Sequence, residues 1–221
     1  MAKRPPRTKD PNLVISQKTV LLVEGPDDEK FFQSAFRESG IKTIQIIPTD
    51  GKYNLKNRIG DLKNIPGYND VNAILILRDS DKSAKSESQS INYALKSTGL
   101  IDKDIEPFTI SEFNAKKIGF MLSSGYDDNG NLCEEGAIED LCLKIFKEQS
   151  VTKKIDDYFK DFLEHETLNH ENKNRLHATF SFTNKYVGMK IEHVANANGF
   201  DFESPYFAPF LNLIKEIDVQ E

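Results

Sequence analysis

The stretch AILILRDSD, residues 73–81, decides the fold. Its first five residues are apolar, and the run then breaks into Arg78, Asp79, Ser80 and Asp81. A near-continuous apolar run of this length suits a strand buried on both faces. It ends in two carboxylates two positions apart. If the backbone stays extended, Asp79 and Asp81 point the same way.

Working outward, KTVLLVE (18–24) is a second buried strand, and it also ends in acid, at Glu24. GPDDEKFFQSAFRESG follows. Pro26 stands at the start, acids fill the first turn, Phe31, Phe32, Ala35 and Phe36 recur at helical spacing, and Gly40 closes the segment, so a helix is expected. IKTIQIIP (41–48) reads as a strand, TDGKYNLKNRIGDLKNIPG as a turn and an amphipathic helix, 86–98 as a helix and IEPFTI (105–110) as strand-like. The order βαβαβαβ implies an α/β fold, a mainly parallel sheet with helices on both faces. Beyond it, KKIGFMLSSG (116–125) reads as a strand, DDNGNL as a turn and 135–148 as a helix. From 151 onward helices follow, and the aromatics of SPYFAPFLNLIKEI dock the last one on the body. The expected organisation is a flexible basic tail over 1–16, an α/β core over 17–125 and a helical extension over 126–221.

In an open α/β sheet, ligands bind at the carboxyl ends of the strands. Glu24, Asp79 and Asp81 share that edge. Strands lie about 4.8 Å apart, so the three carboxylates would converge within roughly 10 Å if their strands are neighbours. Like charges so placed raise one another's pKa, and a divalent cation relieves the repulsion. Oxygen ligands without His or Cys favour magnesium or manganese. The plainer reading is that acids end strands because loops are polar. Asp28, one turn beyond Glu24, would extend the site or would serve with Asp27 as a favourable charge at a helix N-terminus.

LLVEGPDDEKFF with AILILRDSD resembles the Toprim domain of topoisomerases, DnaG-type primases and overcoming-lysogenization-defect (OLD) nucleases. The likeness covers residues 17–125. GAIEDLCL and DFESPYFAPFLNLI extend it to small stand-alone bacterial Toprim proteins. The resemblance implies a Rossmann-like Toprim fold and magnesium- or manganese-dependent nuclease chemistry with two ions. Glu24 would ligate metal or act as general base, and Asp79 and Asp81 would be metal ligands. A further acid would serve the second ion, with Glu139 preferred over Asp140 and Glu135 left to the helix dipole. A downstream lysine, Lys185 or Lys190, would face the phosphate; both also read as surface lysines. Arg78 would face phosphate or neutralise the acids beside it. The OLD resemblance further implies a separate ATPase partner and phage defence. The chain is too short for a strand-passage domain, and two cysteines do not build a primase zinc module. Recombination mediators show that Toprim folds also serve as non-catalytic binding modules, which is the alternative.

The formal net charge is -6, and about -9 without the first ten residues. This balance does not advertise nucleic-acid binding. Lys52, Lys56, Arg58 and Lys63 offer a basic helix, and a partner would help to hold the substrate. Cys133 and Cys142 make neither a disulfide framework nor a zinc site, which fits a reducing cytoplasm. No apolar run reaches membrane-spanning length and no secretory signal is visible. HETLNH (165–170) is not a zincin motif, since five residues separate its imidazoles by about 140° around a helix. The segment from Asp127 lacks the Gly and Glu of a calcium loop at positions six and twelve, and no P-loop occurs.

Overall fold

The apolar runs become the middle of one sheet. The computed structural model describes residues 12–164, 168 and 170–218. Five strands, β1 (Thr19–Val23), β2 (Ile44–Pro48), β3 (Ala73–Arg78), β4 (Ile110–Phe113) and β5 (Lys116–Leu122), stand in the order β2-β1-β3-β5-β4. All pairings are parallel except that of edge strand β4 with β5. Every residue of β1 and β3 is buried. That is why these segments carry no alternation of polar residues: helices cover both sides.

The period of two sorts the strand side chains into two cores. Leu21, Val23, Leu75, Leu77 and Met121 pack with Phe31, Phe32 and Ala35 of α1 (Pro26–Glu38). Val20, Leu22, Ile74, Ile76 and Phe120 pack with Leu55, Ile59 and Leu62 of α2 (Leu55–Leu62) and Ile91 and Leu95 of α3 (Ala84–Ser97). The fold is therefore α/β and doubly wound, as the element order implies.

A helical region follows: α4 (Ile138–Ile145), α5 (Gln149–Leu163), α6 (Glu171–Ser181), α7 (Ile191–Asn196) and α8 (Ala208–Asp218). It shares the core of α1. The Phe31 ring meets Phe200 and Phe202 edge-on, each at 5.5 Å, and Phe207 at 6.1 Å. Such pairs add about 0.5–1.5 kcal/mol each beyond area burial. The terminal aromatics thus dock the chain's end on α1.

Three local expectations change. IEPFTI is not a strand until Ile110. Pro107 has no N–H to give, and Phe108 takes a left-handed φ of 58°. The helix expected over 135–148 spans only Ile138–Ile145. Gly136, at φ 132°, is held in an extended bridge to Asp81, and the buried Phe146 turns the chain out of the helix. The expected basic tail falls mainly on residues outside the described ones, but its end is packed. Ile15 is buried and its N–H donates to the Pro66 carbonyl at 2.8 Å. A Cβ on Gly67 would lie 2.0 Å from the Ile15 carbonyl oxygen, so this docking needs glycine there.

Candidate functional site

Strand order reverses direction between β1 and β3, because the chain runs from β1 outward to β2 and then returns to β3 on the other side of β1. This is the switch point at which such sheets open a ligand crevice. Glu24 follows β1 directly, Asp79 follows β3, and Ser123 follows β5. The rigid, buried strands fix all three at one edge.

Asp79 Oδ1 accepts from the Ser123 hydroxyl and from the Ile138 N–H at 3.0 Å. Asp28 Oδ2 accepts the Gly25 N–H at 2.9 Å, which closes the start of α1. Burial, then the neighbouring acids, pushes Asp28 up to about 7 and Asp79 up to about 8. Asp79 feels Asp28, Glu24 and Glu139, and Asp28 feels Glu24 and Glu139. Beneath them the buried Cys142 thiol is pushed well up by burial and by the charges of Glu139, Asp28, Asp140 and Asp79. The four carboxylates of Glu24, Asp28, Asp79 and Glu139 therefore share one strongly negative, poorly solvated region. Asp140 is engaged elsewhere: its Oδ2 accepts the Ala137 N–H at 2.8 Å and the Asn172 amide at 2.9 Å.

Asp81 turns aside. Its backbone is left-handed, at φ 47°, and exchanges two hydrogen bonds with Gly136 at 3.0 and 2.9 Å. The expectation that Asp79 and Asp81 point the same way required an extended backbone, which ends before Asp81. The Asp81 carboxylate bonds the Lys52 ammonium, which also bonds Glu87. Arg78 is buried, with Nε on Glu24 at 3.3 Å and Nη2 on Glu87 at 3.2 Å. A chain of alternating charge thus runs Glu24, Arg78, Glu87, Lys52, Asp81. Arg78 neutralises the acids beside it and is spent in doing so. Glu24 is nonetheless raised, because burial and the Asp81 charge outweigh Arg78 and Lys52.

These carboxylates suit a hard divalent cation. Among the described residues, Asp28 and Asp79 bond no cationic side chain, each repels the other, and both are oxygen donors. Among the described residues, no three His, Cys, Asp or Glu side chains already stand in close ligand geometry. Closing a ligand set would draw the carboxylates together.

A cleft opens over the acids, lined by Asp79, Asp81 and Glu139 and by Lys52, Lys82, Lys173 and Arg175. Of the residues singled out from sequence, the fold brings Glu24, Asp28, Asp79, Asp81 and Glu139 to this edge. Lys185 instead donates to the Ala197 carbonyl at 3.1 Å and lies over the Tyr186 ring, and Lys190 is exposed before α7. Neither lines the cleft. The expected basic helix is dispersed: Lys52 pairs with acids, Lys56 lies over Tyr93 and Lys63 donates to the Thr98 carbonyl. His170 lies at the cleft, whereas His165 is outside the described residues. Sequence reasoning missed Glu87 and Ser123. Glu87 was detectable, because it interrupts the apolar stripe of Ala84, Ile91 and Leu95 on α3.

No helix among the described residues is long and apolar enough to cross a membrane. No curated protein matches the sequence. Similar solved structures include a hypothetical protein, PH0156, from Pyrococcus horikoshii OT3. It is 13% identical with a TM-score of 0.52, over 92% of this chain and 96% of that one. That likeness is one of fold. Two structures of the C-terminal region of the OLD protein of Xanthomonas campestris pv. campestris are each 15% identical. Their TM-scores are 0.45, over 92% of this chain and 95% of that one, and 0.47, over 94% and 98%. Residues 18–217 match the family described as "Protein of unknown function (DUF3226)", and the chain belongs to that family.

Proposed function

We propose that the chain is a magnesium- or manganese-dependent Toprim nuclease that cleaves nucleic-acid phosphodiesters in the cytoplasm. The observation that carries this reading is the set of mutually repelling, partly buried carboxylates at the switch point, beneath a cleft edged with lysines. Glu24, Asp79 and Asp81 would hold one ion, and Asp28 and Glu139 a second. Two bound ions would neutralise charge on the attacked phosphate and on the leaving oxygen. The chain's own cations do the remaining positioning. Lys82 and Lys173 on the cleft are placed to draw in a phosphate backbone. Arg78 is committed to Glu24 and Glu87, so it fixes the Glu24 carboxylate instead of touching substrate. The acidic balance of the chain supports substrate delivery by a partner, for which a separate ATPase in phage defence is the proposed candidate.

One observation favours a second reading, a non-catalytic binding module. Lys52 and Arg78 already balance Asp81, Glu24 and Glu87 without a metal.

The test is cleavage of labelled DNA and RNA, tRNA included, with magnesium or manganese. Wild type and Glu24→Ala run side by side, alone and with any ATPase encoded nearby. Cleavage by wild type that is lost in Glu24→Ala supports the nuclease. Cleavage by both assigns the activity to another site. Folded wild type that cuts nothing under any condition favours the binding module.

A further inference from the structure

Lys52 is held at its backbone near the end of β1 and pairs at its tip with two carboxylates. It opens the short 3-10 turn Lys52–Asn54 just after β2. The two residues that bring the chain there are tied to the end of β1: Thr49 N–H donates to the Val23 carbonyl at 2.8 Å, and Gly51 N–H donates to the Glu24 carbonyl at 3.1 Å. The ammonium is thus delivered from the neighbouring strand end into the acid cluster. It bonds Asp81 and Glu87 at once.

The two acids depend on it unequally. Glu87 has a second partner in Arg78, at 3.2 Å, and stays paired if Lys52 leaves. Among the described residues, Asp81 has Lys52 as its one cationic partner, and its side chain is 47% exposed. The Asp81 backbone is locked to Gly136 by two hydrogen bonds, so its Cα stays at the cleft whether or not Lys52 is there. A compact ammonium on a flexible stem is more easily exchanged than a buried, forked guanidinium held by two acids. Asp81 and Glu87 both line the cleft, and Asp81 is the one that would be left without a cation there.

We infer that Lys52 is a built-in counter-cation that occupies Asp81 until a divalent ion takes its place, and that the displaced ammonium then faces the cleft as a phosphate-binding group. This inference rests on the metal-dependent reading of the site. It makes metal loading and polyanion binding reciprocal: the ion frees the lysine, and phosphate that captures the lysine favours the ion. Without metal, Lys52 offsets the charge of Asp81 and part of that of Glu87.

Two measurements on the full chain test it. The first is acetylation of lysines by an N-hydroxysuccinimide ester, followed by mass spectrometry, with and without manganese. Labelling of Lys52 should rise about fivefold or more with the ion, in the range of ordinary coupling, while Lys185 on its carbonyl stays constant. The second is manganese binding by calorimetry to wild type and to Lys52→Met, with the fold of the variant checked by circular dichroism. Removing the competitor should tighten binding by about fivefold or more. Manganese binding to wild type with unchanged or reduced Lys52 labelling, or equal or weaker binding by folded Lys52→Met, overturns the inference and leaves the metal site standing. Wild type that binds no manganese overturns both.

Discussion

Asp79 Oδ1 accepts the backbone N–H of Ile138 at 3.0 Å. The carboxylate that ends the central strand is thereby an acceptor for the first turn of α4, the helix that carries Glu139. One bond joins the α/β sheet to the helical region and sets the two acids in each other's field. Burial, then the charges of Asp28, Glu24 and Glu139, raises the Asp79 pKa although its carboxylate accepts two hydrogen bonds.

Metal-free stability should fall with rising pH. Asp79 is raised from the ordinary 3.8 to about 8, and Asp28 to about 7. Between those limits the folded chain holds protons that the unfolded chain has released, so stability is greatest below about pH 4 as far as these groups are concerned and declines until about pH 8. Asp79→Asn keeps an oxygen for Ile138 and Ser123 but carries no charge. Melting in a chelator from about pH 5 to 8 should show a shallower decline for the variant, with its Tm at pH 8 above wild type by roughly 2–4 °C, the shift about 1 kcal/mol produces in a chain of this size.

Arg78→Met should destabilise strongly. The guanidinium is buried between Glu24 and Glu87, and its loss leaves Glu87 inside with only Lys52. Breaking a buried pair of this kind costs about 3–5 kcal/mol. Urea unfolding measures it, and adding Glu87→Gln should recover part of the loss by removing the stranded charge.

Phe31→Ala should loosen the helical region more than the sheet. Its ring contacts Phe200, Phe202 and Phe207 and links α1 to the chain's end. The expected cost is about 3–5 kcal/mol. Hydrogen exchange should show α8 losing protection before β1 and β3 do.

The sheet was legible because β1 and β3 are near-continuous apolar runs with acids just beyond them. Periodicity, helix punctuation and the Val23-Glu24-Gly25 and Asp79-Ser80-Asp81 strand ends carry that information locally. The partners were not legible, because they arrive from afar. Ser123 reaches Asp79 only once β5 lies beside β3, and Lys52, which follows β2, reaches Asp81 only across the end of β1. The shared direction of Asp79 and Asp81 depended on an extended backbone: two-residue spacing aligns side chains in a strand, and the left-handed Asp81 ends that rule. Glu87 left a signal in its apolar stripe, and α4 left one in Gly136, whose φ of 132° marks where the helix cannot yet begin.

The proposed nuclease requires that the strand-end carboxylates form a divalent-cation site. Thermal melting of wild type and Asp79→Asn, each with and without magnesium or manganese, tests it most directly. An ion at about 100 times its dissociation constant stabilises a folded chain by about 2.7 kcal/mol. Wild type should gain several degrees of Tm, on the order of 5–10 °C, and Asp79→Asn none. A wild-type Tm that does not move at about millimolar metal, or an equal rise in both proteins, would contradict it.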